Sequence, residues 1–275
     1  MADEAGTGNG APLTSATGLD TGVAHIARVY NYWLGGTDNF AADRAAAEQA
    51  MRAFPGIALS ARSNRAFLAR AVHFLASEAG VRQFLDIGTG IPAANNTHQV
   101  AQAVAPDARV VYIDNDPIVA THARALLASD PAGSTSYLEA DLRDPDQILR
   151  AAAQTLDFGQ PVALMLMAML QHIGDDENPD QIVATLMAAL PPGSYMTLSH
   201  PASDIEAQAQ ARVASGLNTT MAERVTLRSH DAVARFFARL DLVEPGLVQA
   251  SKWRPASEEE ASRPAALWAG VAAKQ

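Results

Sequence analysis

The sequence predicts an α/β fold in which helices cover both faces of a mostly parallel sheet. Between residues 83 and 199, short apolar segments alternate with segments of helical pattern. This alternation is typical of parallel strands joined by crossover helices. The first apolar segment also breaks into two glycines, Gly88 and Gly90, just before a predicted helix. Glycines there let the backbone turn tightly and approach a ligand closely.

The chain before the sheet divides into two parts. Residues 1–20 are rich in Gly, Thr, Ala and Asp and show no apolar period, so we expect a disordered tail. Residues 21–80 are expected to form a helical lid. Its predicted elements are a helix over 26–34, a turn at Gly35-Gly36, a helix from about Asn39 capped by Asp38 or Asn39 and closed at Pro55-Gly56, and a helix over 60–79.

Residues 81–275 are expected to form the sheet domain. The predicted strands are 83–87, 109–114, 136–140, 161–170 and 195–199. The predicted helices between them are 96–104, 117–127, 145–154 and 179–190. Further helices reach Leu240, and two apolar segments, 242–249 and 266–272, are expected to pair as an antiparallel hairpin at the sheet edge.

Composition excludes several classes of protein. The 275 residues carry a net charge of −10, which disfavours a nucleic-acid partner because phosphate binding needs a basic face. The absence of cysteine excludes disulfides and thiolate chemistry, and no apolar run is long enough to span a membrane. We therefore expect a cytoplasmic protein with neither a nucleic-acid nor a membrane partner.

The acid before the glycine turn indicates which ligand binds there. Asp86 would repel a pyrophosphate but attract the ammonium and sulfonium of S-adenosylmethionine, so Asp86, Gly88, Thr89 and Gly90 are predicted to contact that cofactor. The spacing of Gly88 and Gly90 with Ala93 also fits the nicotinamide dinucleotide motif, which stays open as an alternative at this point.

Acids also follow the second and third strands. Asp114, with Asn115 beside it, is predicted to bind the two ribose hydroxyls, whereas Asp116 is the better candidate for a helix cap. A helix-capping role for Asp114 is the alternative. Asp141 and Leu142 are predicted to contact the adenine. Asp144 is the expected cap of the next helix.

Other polar residues follow the fourth and fifth strands. Met167 and Ala168 are predicted to contact the cofactor because the carboxyl end of that strand must face it. His172 is a candidate general base, although a loop histidine that caps backbone is an equal alternative, and His200 is a weaker candidate of the same kind. The acidic run Asp175-Asp176-Glu177 is interpreted as a solvated loop, with no metal site.

The segment 27–40 mixes aromatic, polar and glycine residues before any strand begins. Its polar side chains are interleaved with the rings, which suits a lid over a ligand better than an amphipathic packing helix. Packing on the domain remains the alternative. The predicted acceptor or lid contacts are Arg28, Asn31, Tyr32, Asn39 and His200.

These motifs together resemble a bacterial S-adenosyl methyltransferase family long known only as a domain of unknown function. The resemblance rests on segments 27–40, 84–92, 110–117, 140–145, 190–200 and 247–254 and covers about residues 20–272. It implies a Rossmann-like class I methyltransferase fold with seven strands, the last antiparallel. It also implies cofactor contacts at Asp86, Gly88, Gly90, Asp114, Asp141 and Met167–Ala168.

The predicted function is therefore methyl transfer from S-adenosyl-L-methionine to an unidentified acceptor, expected to be a small molecule. Two rivals remain at this stage. One is a regulatory protein of the same fold that binds S-adenosylmethionine without catalysis. The other is a nicotinamide-dependent dehydrogenase, which Asp86 and the terminal hairpin disfavour.

Overall fold

The structure is a computed structural model that describes residues 21–121 and 134–275. The predicted tail over 1–20 and the second half of the predicted helix 117–127 lie outside the described residues. Eight strands form one sheet: β1 Gln83–Ile87, β2 Arg109–Asp114, β3 Ser134–Glu139, β4 Ala163–Met167, β5 Tyr195–Pro201, β6 Asp241–Leu242, β7 Val248–Gln249 and β8 Leu267–Ala273.

The helices of the described residues surround this sheet. They are α1 Ile26–Trp33, α2 Ala41–Ala53, α3 Ile57–Ser77, α4 Thr97–Val104, α5 over 117–121, α6 Pro145–Ala152, α7 Pro179–Ala188, α8 Ala207–Thr220, α9 His230–Ala234 and α10 Glu258–Ser262. The predicted α/β class is confirmed.

The strand order is β3-β2-β1-β4-β5-β8-β6, and β7 also pairs with β8. The first five strands pair in parallel, whereas β8 runs antiparallel to β5, β6 and β7. Because the carboxyl ends of parallel strands share one edge, the ends of β1, β2 and β4 come together there. This edge receives the residues that the sequence places after those strands.

The two faces of the sheet bury different side chains of the same strands. Leu85 and Leu164 pack on the side of α6 and α7, whereas Phe84 and Met165 pack on the side of α3 and α4. Alternation with a period of two delivers successive residues to opposite faces. This explains why the central strands β1 and β4 are buried along their whole length, as is typical of a sheet covered on both sides.

Several element ends differ from the prediction. The fourth strand stops at Met167 because Ala168 takes a positive φ of 49° and Leu170–His172 forms a 3₁₀ turn. The apolar segment 242–249 is split into β6 and β7, which pair with opposite parts of β8. The N-cap of α2 is Phe40 rather than Asp38 or Asn39, because the Asp43 carboxylate accepts the Phe40 N–H at 2.8 Å.

The first three helices form a layer with α8. Val29 and Trp33 of α1 pack with Ala47 of α2 and with Val213 and Leu217 of α8 in a separate apolar cluster. Helix α3 is shared, because its Phe67 and Leu75 belong to the sheet cluster while its Ile57 and Ala61 belong to this one. Helix α3 therefore packs against both the N-terminal helical layer and the sheet, and connects the two.

Candidate functional site

A cavity of about 180 Å³ lies where the helical layer meets the strand ends. A single buried water needs only roughly 10–15 Å³, so this space suits an organic ligand. We divide its lining into a strand wall and a helix wall. The strand wall contains Asp86, Ile87, Gly88, Thr89, Gly90, Ile113, Asp114, Asn115, Ala140, Leu142, Met167 and Ala168. The helix wall contains Tyr30, Trp33, Phe54, Ile57, Ala61, Asn64, Gln210, Val213, Ala214 and Leu217.

The glycine turn between β1 and α4 needs glycine for two different reasons. Both residues have positive φ values, 76° at Gly88 and 63° at Gly90, a region that other residues rarely adopt. A side chain at Gly88 would overlap the Met169 side chain, whereas one at Gly90 would enter open space. Gly88 is thus required for packing within the protein, and Gly90 leaves backbone accessible from the cavity.

Asp86 is a buried carboxylate at the end of β1. Only 4% of the surface of this residue is exposed to solvent, and the Thr97 hydroxyl donates a hydrogen bond to Oδ2 at 2.6 Å. Burial raises the pKa of Asp86 to about 6, against the opposing effects of Thr97 and the nearby positive charge of Arg65. A cation beside this carboxylate would relieve the cost of its burial.

Asp114 joins the second strand end to the glycine turn. Its Oδ2 accepts the Gly90 N–H at 2.8 Å and its Oδ1 accepts the Asp116 N–H at 3.0 Å. Burial raises the pKa of Asp114, and these two backbone donors oppose the rise. Each carboxylate oxygen can accept further bonds. Asp116 caps α5 by accepting the Ile118 N–H at 2.8 Å, as predicted.

The third strand end contributes Leu142 but not Asp141. Leu142 is buried and lines the cavity, whereas Asp141 is outside the lining and bonds the main chain and guanidinium of Arg143. Asp144 caps α6 by accepting the Gln147 N–H at 2.9 Å, which confirms its predicted role. Arg143, which the sequence did not single out, lines the cavity instead of Asp141.

A cluster of three charged residues links the two walls. His25, just before α1, contacts Asp116 Oδ2 at 2.9 Å through Nδ1 and Glu223 Oε1 at 2.8 Å through Nε2. Burial alone would lower the pKa of His25, but the two carboxylates outweigh it and raise the pKa to about 10. His25 is therefore a cation at neutral pH. No local motif marked His25 or Glu223, because 198 positions separate them in the chain.

The two histidines of interest differ in access to the cavity. His172 lines it, with Nδ1 3.1 Å from the Arg224 carbonyl and Nε2 3.1 Å from Gln171 Nε2. His200 lies outside the lining and accepts a bond from Arg228 Nη1 at 2.9 Å. Burial lowers the pKa to about 4 at His172 and about 3 at His200, so both are neutral at pH 7.

The polar lid residues that the sequence proposed lie outside the cavity lining. Arg28 is buried against Asp43 at 3.4 Å, Asn31 accepts a bond from Asn39 at 2.9 Å, and the Tyr32 hydroxyl donates to Glu48 at 3.1 Å. These bonds lie within the helical layer. The same segment instead presents Tyr30 and Trp33 to the cavity, because on α1 they share a face about one turn apart.

The acidic run after His172 is engaged by arginines. Asp175 accepts from Arg228 at 2.7 Å, and Glu177 accepts from Arg143 at 2.5 Å. Within residues 21–121 and 134–275, no group of three or more metal-ligating side chains comes together. Over the same residues, none of the helices combines the length and apolar character that crossing a bilayer requires.

A family model described as S-adenosyl methyltransferase matches residues 12–275. The chain belongs to this family. A DUF574 family protein from Streptomyces avermitilis has 44% identity and a TM-score of 0.89, and the match covers 93% of this chain and 99% of that one. A candidate methyltransferase from Thermobifida fusca has 42% identity and a TM-score of 0.86, covering 93% and 96%. No curated protein matches.

The protein is thus a methyltransferase whose cofactor is S-adenosyl-L-methionine. The resemblance drawn from the sequence motifs is confirmed. The chemical groups of the strand wall also fit this cofactor, independently of the family match. It offers a desolvated carboxylate at Asp86 for a cation, spare oxygen lone pairs at Asp114 for hydroxyl donors, and an approachable backbone at Gly90.

Proposed function

We propose that this methyltransferase acts on a small molecule with an apolar body, bound against the helix wall. The observation that supports this is the continuity of one cavity between the strand wall and the helix wall. A cofactor on the strand wall would then share an enclosed space with its acceptor. Residues 21–80 would act as the lid of this space, and residues 81–275 would carry the cofactor site.

The helix wall supports an apolar acceptor because its polar groups bond to the protein itself. The Tyr30 hydroxyl donates to the Ala61 carbonyl at 3.0 Å and accepts from Asn64 at 3.1 Å. Gln210 Nε2 donates to the Ala266 carbonyl at 2.8 Å. What these residues leave for a ligand is chiefly ring and methyl surface, which favours apolar groups.

One polar corner of the cavity supports a hydrogen-bond-donating group on the acceptor. Gln171 Oε1 and Glu223 Oε2 are buried acceptor atoms without a partner among the described residues. Both residues line the cavity. Because an unpaired buried oxygen costs about 1–3 kcal/mol, a hydroxyl or amine on the ligand would be favoured here. Such a group is also what a methyl transfer needs as its nucleophile.

The residues of the strand wall would hold the cofactor in four ways. Asp86 would attract the amino-acid ammonium, Asp114 with Asn115 would accept the ribose hydroxyls, and Leu142 would pack on the adenine. Met167, Ala168 and the turn through Thr89 would face the remainder. When bound, the cofactor supplies a methyl group on a positively charged sulfur. The walls contribute alignment, which is worth roughly 7–11 kcal/mol in the best intramolecular examples.

His172 is the candidate in this site for a base that accepts a proton from the acceptor. His172 is neutral and lines the cavity, so it is available to accept a proton, but its lowered pKa of about 4 makes it a weak base. Its Nε2 also faces Gln171 at 3.1 Å, and a proton could arrive there only after that side chain turns away. An acceptor that is already nucleophilic, such as a neutral amine, suits this site best.

The experiment that tests this function is formation of S-adenosyl-L-homocysteine from the cofactor in the presence of fractionated metabolite extracts. The account predicts turnover with an apolar fraction. It also predicts that Ala214→Trp, which fills the helix wall, abolishes turnover while cofactor affinity is kept. Ala211→Trp on the exposed face of the same helix is the matched control and should retain activity.

Two results would contradict the proposal. Tight cofactor binding with no turnover in any fraction would favour the non-catalytic alternative, a regulatory protein of this fold. Turnover that survives Ala214→Trp would place the acceptor away from the helix wall. The dehydrogenase alternative needs a nicotinamide cofactor, and the family of this chain uses S-adenosyl-L-methionine.

A further inference from the structure

Arg65 is a cavity-lining cation that makes no ion pair with a carboxylate among the described residues. Three lining residues carry a positive charge at neutral pH: His25, Arg65 and Arg143. His25 lies between Asp116 and Glu223, and Arg143 binds Asp141 and Glu177. Among the described residues, Arg65 makes no ion pair within 4.0 Å, since its partners are two carbonyls and one side-chain amide oxygen.

The guanidinium of Arg65 also has a donor that makes no hydrogen bond to the described residues. Its bonds to the carbonyls of Ala94 and Asn95, at 3.0 and 3.1 Å, and to Asn96 Oδ1, at 3.3 Å, all use Nη2. Its Nε is buried and has no hydrogen-bond partner among the described residues. A buried donor without a partner is costly, so a missing acceptor is expected nearby.

The position of Arg65 relates it to the amino-acid end of the cofactor. Its Nη2 bonds hold the segment 94–96, which follows the glycine turn and ends at Asn96, the N-cap of α4. Its charge opposes the rise that burial causes in the pKa of Asp86, so the two groups lie near each other. One acid and one base therefore flank the same part of the cavity. An amino acid, which carries one ammonium and one carboxylate, has the complementary charges.

We propose that Arg65 binds the carboxylate of the cofactor's methionine moiety while Asp86 faces its ammonium. The guanidinium suits a carboxylate because it is a cation, and because its buried Nε–H has no acceptor among the described residues and can donate to a carboxylate oxygen. In this role Arg65 is a binding residue for the cofactor. The assignment does not depend on which acceptor the enzyme methylates.

Calorimetric titration of two related ligands tests the proposal. S-adenosyl-L-homocysteine carries the carboxylate, and 5′-methylthioadenosine lacks the whole amino-acid part. Arg65→Gln should weaken S-adenosyl-L-homocysteine roughly ten- to a hundredfold, as expected for loss of a charged hydrogen-bonded pair. It should leave 5′-methylthioadenosine unchanged. Arg62→Gln, an exposed arginine on the same helix and outside the cavity lining, is the control and should change neither affinity.

A second arm uses the wild-type protein, so it holds even if Arg65→Gln fails to fold. The carboxylate methyl ester of S-adenosyl-L-homocysteine should bind the wild type more weakly than the free acid by the same factor. Where Arg65→Gln folds, it should bind ester and acid alike. The proposal is overturned if Arg65→Gln weakens both nucleoside ligands equally, which would make Arg65 a support for segment 94–96 only. It is also overturned if the wild type binds ester and acid equally.

Discussion

The strand wall and the helix wall of the cavity are built from different parts of the chain. Every strand-wall residue lies at the carboxyl end of a parallel strand or follows that end within a few positions, so each is placed by a local rule of the fold. The helix wall instead gathers α1, the start of α3 and α8, which are brought together by an apolar cluster. Local sequence motifs therefore determine the strand wall, whereas tertiary packing determines the helix wall.

The two walls differ in how freely their residues can vary. The strand wall is polar at its centre, where the Thr97 hydroxyl donates to Asp86 and two backbone N–H groups donate to Asp114. The helix wall presents chiefly rings and methyl groups, and their replacement would alter the shape of the space. A family with one cofactor and many acceptors would change the second wall and keep the first.

The largest effect is expected from the strand wall. Asp114→Ala should weaken S-adenosyl-L-methionine binding roughly ten- to a hundredfold, because a charged acceptor of the ribose hydroxyls is worth about 1.5–3 kcal/mol. Calorimetric titration measures this loss. Asp144→Ala removes another acid that follows a strand, but one that caps α6 away from the cavity. It should cost about 1 kcal/mol of unfolding free energy and no affinity. Unchanged affinity in Asp114→Ala would leave Asp114 as a backbone support.

The two glycines of the turn should separate stability from binding. Gly88→Ala meets both a positive φ and the Met169 side chain, so we expect a loss of about 1–3 kcal/mol in unfolding free energy. Gly90→Ala should lose only the roughly 1–2 kcal/mol of unfolding free energy that a positive φ costs alanine. Its methyl group would enter the space proposed for the cofactor. Chemical denaturation and calorimetry measure the two effects.

The control for this pair is Gly80→Ala. Gly80 has a φ of 70° and open space around its side-chain position, but it lies at the end of α3 outside the cavity lining. It should lose the same stability as Gly90→Ala and no affinity. If Gly90→Ala also binds the cofactor normally, the cofactor does not approach this backbone.

A smaller effect is expected where His25 joins the two walls. His25→Gln should lower the unfolding free energy by about 1–2 kcal/mol, because it removes the ion pairs with Asp116 and Glu223. His73→Gln, at an exposed position of α3, is the control and should stay within about 0.5 kcal/mol of the wild type. Urea denaturation at several pH values measures both variants.

The pH dependence of this effect has a defined sign. The pKa of His25 is raised from 6.5 to about 10 in the folded protein, so its contribution is fully present below pH 6.5. Between pH 6.5 and 10 the folded chain holds a proton that the unfolded chain has lost, and stability falls as pH rises. The gap between wild type and His25→Gln should therefore close as pH approaches 10. A gap that widens over this range would refute the imidazolium assignment.

The sequence predicted the strand wall better than the helix wall for a physical reason. A strand ending in an acid or a glycine is a local signal, and Asp86, Gly88, Asp114 and Leu142 all reach the cavity. Asp141 does not, because the neighbouring Arg143 binds its carboxylate. Which of two adjacent side chains faces inward depends on such contacts, and the pattern of residue types does not reveal them.

The helix wall and the charged residues around it depend on contacts between distant positions. Glu223 and Val213 come close to α1 only after the helical layer packs. Within α1, the predicted contact Tyr32 points to Glu48, and Tyr30 lines the cavity in its place. Helical periodicity could have separated these two, because Tyr30 shares the face of the buried Trp33 and Tyr32 does not.

A crystal structure with S-adenosyl-L-homocysteine bound would show whether the two walls form one methyl-transfer site. We expect the ribose on Asp114, the adenine against Leu142, and the sulfur facing the space bounded by Tyr30, Trp33 and Val213. The methyl group of the cofactor would then point at the acceptor. A sulfur turned away from that space, toward solvent or into the sheet, would contradict the claim that the two walls form one methyl-transfer site.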